Sequence, residues 1–206
     1  MNFKKLQAMQ AKLDEAILAE KAQMTEEERF NKTLVALSVE IAEVANCAEH
    51  FKFWKDNKGK VDSERFGENH FFANNELVFT DYIEEKTGIQ YEFEQAHRLT
   101  LVEECSDALH FILSLANQIE YEIKDIDWEV LSETKEKNLM YINRDLFYLF
   151  TSFDRGQSSS VNYNNIQMLL LGLLGYFESL GITEQELEQA YYDKNKINYE
   201  RLENGY

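Results

Sequence analysis

The chain has 206 residues, enough to bury a hydrophobic core in one domain. It contains no proline while Leu, Ala, Glu, Lys and Gln are plentiful, so helix breakers are missing and a mostly helical protein is expected. Asp and Glu number 38 against 21 Lys and Arg, and the resulting formal charge of -17 argues against a nucleic-acid polymer as partner.

From the amino terminus, Leu6, Met9, Leu13, Ile17 and Leu18 fall on one face of a helix over residues 3–22. Thr25 and Glu28 have the spacing of a capping box, which predicts a second helix from near Glu26 to about Lys55. Residues 56–75 mix Gly59, Asp62, Ser63, Gly67 and Asn69 with Phe71 and Phe72 and read as an ordered loop or lid. A short helix at residues 76–86, ended by Thr87-Gly88, is expected next. A long apolar-periodic helix follows over residues 91–123, and Asp127 is the expected cap of another that continues through Leu146 and Phe150.

Arg155 to Ser160 is rich in Gly and Ser and reads as a loop rather than a domain boundary. Residues 166–180 are almost continuously apolar, too short to span a bilayer, and belong in a core or an oligomer interface. Thr183 and Glu186 form a second capping box that opens a last helix over residues 184–202. A single all-α domain over residues 1–206 is expected. Cys47 and Cys105 sit in helical apolar patterns, as reduced core thiols do. The amino terminus lacks the apolar core of a signal peptide and no stretch suits a membrane span, so a cytoplasmic location is expected.

The chemistry starts at Glu40 and Glu43, whose spacing puts two carboxylates on one helix face where they can share a cation. Glu104 and Asp107 repeat that geometry, preceded by Glu103, on the later apolar helix. A solvated acidic stripe is the plain alternative for either pair alone. Two pairs, each embedded in small and apolar residues, instead point to hard oxygen ligands for Mg²⁺, with Mn²⁺ as a substitute. Glu40 is the expected general base, taking a proton from an attacking water. On the last helix Tyr191, Lys194, Asn198 and Arg201 align at steps of three and four. Cations among hydrogen-bonding groups suit a phosphorylated ligand, although basic residues late in a helix also complement its dipole. His110 reads as a core histidine rather than a metal ligand.

Together, Glu40-x-x-Glu43 and Glu104-x-x-Asp107 resemble the all-alpha NTP pyrophosphohydrolase superfamily, which includes MazG-like enzymes and the dimeric dUTPases. Gln10 with Leu13-Asp14, Asn46 followed by Phe51-Lys52-Phe53-Trp54-Lys55, Ala108-Leu109-His110-Phe111, and the ending from Tyr191 to Tyr206 are similar to the dUTPase branch. The resemblance implies a helical bundle acting as a homodimer and hydrolysing dUTP to dUMP and pyrophosphate. It also implies magnesium on Glu40, Glu43, Glu104 and Asp107, phosphates on Lys194 and Arg201, and the nucleoside on Gln10, Asn46, Trp54 and Asn198. Sixty residues separate Glu43 from Glu104, more than in compact members, so residues 58–90 are expected to be an insertion or lid. The alternatives are a pyrophosphohydrolase for another pyrimidine nucleotide such as dCTP, and a non-enzymatic acidic helical protein that binds a partner through residues 166–180. A di-iron bundle would need two Glu-x-x-His motifs on separate core helices, and Asp107-x-x-His110 offers at most a variant of one.

Overall fold

Asn2 caps the first helix, α1 (Phe3–Glu20), by accepting from the Lys5 amide. The Thr25–Glu28 box is fully formed and opens α2 (Glu26–Ala48). A three-stranded antiparallel sheet follows, of β1 (Phe66–Ala73), β2 (Glu76–Glu84) and β3 (Gln90–Tyr91) in that order. Then come α3 (Phe93–Gln118), α4 (Lys135–Asp154), α5 (Ser159–Ser179) and α6 (Glu184–Glu203). This computed structural model describes residues 1–21, 23–74, 76–124, 126 and 134–205.

The expectation of a helical bundle holds, because every large packing contact outside the sheet is between helices. The long helix α3 lies at the centre, against α1, α2, α5 and α6, and buries residues on most of its circumference, from Leu101 and Cys105 to Leu113 and Ala116. The apolar stretch of α5 is buried in the core through Ile166, Leu170, Leu173, Leu174 and Phe177. No single helix among the described residues is long and apolar enough to cross a membrane. Cys47 and Cys105 are buried free thiols.

Three expectations change. The helix expected at 76–86 is strand β2, and β1 occupies part of the expected loop: Leu77, Val78, Phe79, Thr80, Tyr82 and Ile83 are β-branched, aromatic or apolar residues that suit a strand paired with Phe66–Ala73. Asn74, at φ 53°, makes the connecting turn. Second, α2 ends at Ala48, well short of Lys55, because Glu49 takes a left-handed conformation with φ 50°. Its buried carboxylate accepts hydrogen bonds from Lys52, Lys55 and the Gly59 amide. Those partners offset burial and hold its pKa down at about 2. Third, α5 starts at Ser159, inside the expected linker, whose turn is made by Gly156 at φ 59°. Asp127 lies outside the described residues, and the cap seen on α4 is Thr134, which accepts from the Lys137 amide.

Candidate active site

Helices α2 and α3 pack face to face and bring the two acidic pairs together. Carboxylate oxygens of Glu40, Glu43 and Glu104 lie within 4.8 Å of one another. Burial, followed by the carboxylates of Asp107 and Glu43, pushes the Glu40 carboxyl up to about 8. Burial, with Glu43 and Asp107 next, pushes Glu104 up to about 7. Asp107 is also raised, chiefly by burial, although Lys194 pulls it back through a hydrogen bond of 2.7 Å. Such mutually repelling oxygens, half-buried on Glu40 and Glu104 and exposed on Glu43, are an unfavourable arrangement for bare anions and a good one for a cation. An all-oxygen set of this density fits Mg²⁺ or Mn²⁺, which accept few carboxylates and keep positions for water and phosphate.

Beside the cluster opens a cavity of about 460 Å³, formed mainly by α1, α2, α3 and α6. Glu40 and Asp107 stand in its wall, together with Lys194, Asn198 and Arg201 from α6. Gln10 of α1 lines it as well, so six residues singled out in the sequence meet in one space. Tyr191, aligned with the α6 stripe, is instead fully buried, where its hydroxyl donates to Leu6 O and Gln10 Oε1.

Asn46 and Trp54 are not among the lining residues. Asn46 is exposed on α2, one turn beyond Glu43. Trp54 is 66% exposed, packed edge-on against Phe51 and Phe53 in the segment after α2. The neighbouring Lys52 and Lys55 are drawn inward to Glu49.

The cavity has further residues whose part the sequence reading did not see. The His110 ring lines it, stacked on Tyr191 with centroids 4.0 Å apart. Burial, reinforced by Lys194, lowers His110 to about 3, so the imidazole is neutral. Its Nδ1 is 2.7 Å from Gln10 Oε1, an acceptor, and therefore carries the proton; buried Nε2 meets no side-chain partner among the described residues, while the Tyr191 backbone works against the lowering of the ring's pKa. Gln10 Nε2 donates to Asp14 Oδ1, and Asp14 Oδ2 accepts from Ser114 and from Arg29. The signal was present in the spacing. Asp107, His110 and Ser114 continue one face of α3 at steps of three and four, and Asp14 follows Gln10 by one turn.

A family model described as dUTPase matches residues 2–78 and 91–206 of the chain. The unmatched residues 79–90 contain the second half of β2 and its turn to β3. No curated protein matches the chain.

Proposed function

Because this chain belongs to the all-alpha dUTPase family, we propose that it is a magnesium-dependent dUTP diphosphatase that releases dUMP and pyrophosphate. The observation that carries the reading is the junction of two environments. Three carboxylates within 4.8 Å adjoin a cavity of nucleotide size whose wall also holds Lys194 and Arg201.

Glu40, Glu43, Glu104 and Asp107 would hold the magnesium, which when bound supplies Lewis acidity to the phosphate oxygens and the attacking water. Glu40, which stands in the cavity wall beside the other carboxylates, takes the proton of that water; a bound cation would draw its carboxyl down from about 8 and leave it ionised to accept that proton near neutral pH. Lys194 and Arg201 offset charge on the triphosphate. Uracil lies toward Gln10 and His110. With Nδ1 committed to Gln10, His110 would offer its Nε2 as an acceptor for the N3–H of uracil once the base displaces what covers that atom, whereas cytosine has an acceptor at that position, which favours dUTP over dCTP. Asn198 serves the sugar or base from the same wall. Neighbouring helices α2 and α4 expose Val35, Val39, Tyr148 and Phe150, which supports a homodimer, checkable by light scattering. Two buried thiols suit a reducing cytoplasm.

The test is a magnesium-dependent screen of the common nucleotides, with pyrophosphate and phosphate measured separately. dUTP should be turned over fastest, and Glu43→Gln or Asp107→Asn should each reduce turnover by about 100-fold or more. Full activity in both variants would remove the carboxylate cluster from the mechanism.

A further inference from the structure

Glu103 stands beside the acidic cluster on α3, and its two oxygens go to different cations. Oε1 accepts from Lys194 Nζ at 3.0 Å and Oε2 from Arg65 Nη1 at 2.8 Å. Arg65 immediately precedes β1, and the rest of its guanidinium fork is engaged: Nε and Nη2 both lie 2.8 Å from Glu84 Oε1, at the end of β2. Its carbon centre rests 4.9 Å from the ring centroid of buried Phe66. Glu84 is fixed in turn, since its other oxygen accepts from Thr87 Oγ1 at 2.7 Å and its carbonyl from the Gly88 amide. The Glu85 amide closes the clasp on Arg65 O. Charges therefore alternate along Asp107, Lys194, Glu103, Arg65 and Glu84, from the cavity wall into the sheet.

This chain of contacts has a direction. Lys194 is a point charge on a flexible stem, and one of its two anchors, Asp107, is also one of the proposed ligands for the cation. Were Asp107 to serve a bound cation, Glu103 would be the anchor that remains. Glu103 is kept in place by a planar, always-charged guanidinium gripped by a sheet. Its own pKa lies below the usual carboxylate range because Lys194 and Arg65 outweigh its burial.

We infer that Arg65 is a positioning residue, which acts through Glu103 to hold the Lys194 ammonium where a di- or triphosphate can meet it. The sheet is thus part of the site's machinery. Glu84, which grips Arg65, lies among residues 79–90, outside the family match. The inference rests on the proposed role of Lys194 as a phosphate-binding cation.

The experiment uses the full chain and two readouts, steady-state dUTP hydrolysis and calorimetric binding of inorganic pyrophosphate with magnesium. Arg65→Ala should raise KM and weaken pyrophosphate binding by about 10-fold each while kcat stays within about 3-fold, the pattern of lost ground-state binding. Arg65→Lys should restore part of both. In a Lys194→Ala background, Arg65→Ala should add less than about 2-fold, because the two act as one unit. Unchanged pyrophosphate affinity in Arg65→Ala, or an equal loss with and without Lys194, would overturn the inference. If Arg65→Ala fails to fold, Glu84→Gln loosens the far end only and should shift both readouts the same way by a smaller factor; no shift overturns the inference. A wild-type chain that hydrolyses no nucleotide would refute the proposed function, while pyrophosphate binding still decides the role of Arg65.

Discussion

Gln10 shows how a single polar side chain can be made specific by its neighbours. Its oxygen accepts from His110 and Tyr191 and its nitrogen donates to Asp14, so the amide has one orientation and the imidazole one tautomer. His110→Phe keeps a ring on Tyr191 and deletes both nitrogens. It should reduce kcat/KM for dUTP by about 100-fold and that for dCTP far less, so the ratio of the two measured on one preparation is the test. The carboxylates make a second prediction. Glu40 and Glu104 have folded-state values raised from 4.5 to about 8 and about 7. Their protonated forms favour the folded state, a contribution complete below about pH 4.5 and lost as pH rises through about 7 to 8. In chelator the melting temperature should therefore decline between about pH 5 and about pH 8, and Glu40→Gln should flatten the decline. The gain in melting temperature from added magnesium should grow over the same interval, as scanning calorimetry would record.

At the scale of elements, Glu49 turns the chain out of α2 and gathers Lys52, Lys55 and the Gly59 amide beneath the exposed Phe53 and Trp54. Glu49→Ala strands those donors and should cost on the order of 2 kcal/mol in urea unfolding, with faster proteolysis between residues 50 and 59. That helix end illustrates what could not be read from the residues in order. The capping boxes at Thr25 and Thr183 act over three residues, and both were legible. The acidic pairs were legible for the same reason, since helical spacing alone aligns Glu40 with Glu43 and Glu104 with Asp107. The stop at Glu49 depends on a carboxylate meeting Gly59 ten residues on, and β2 depends on its pairing with β1, so neither had a local signature strong enough to outweigh helical readings. His110 was rightly read as buried, but its tautomer is set by Gln10, a hundred residues away. Lys194 was read as a phosphate ligand, whereas its pairing with Glu103, and that residue's with Arg65, emerged only in three dimensions.

At the scale of the whole molecule, α3 is the hub that carries half of the acidic cluster and part of the cavity wall, which α1, α2 and α6 complete. Cutting the chain after Thr183 would leave all four proposed metal ligands but remove Lys194, Asn198, Arg201 and the ring stacked on His110. Such a truncated protein should have no measurable dUTP turnover and should lose its cooperative thermal transition, because Tyr191 and Leu187 fill the core. Tyr191 hydrogen-bonds to Gln10, so the first helix and the last meet at the end of the cavity proposed to take the base. During synthesis, the acidic residues of α2 and α3 leave the ribosome well before the lysine and arginine that balance them. On the proposed roles of Lys194 and Arg201, a nascent chain would be inert toward nucleotides until its final helix docks, and a protease that trimmed that helix from the folded protein would return it to the same silent state.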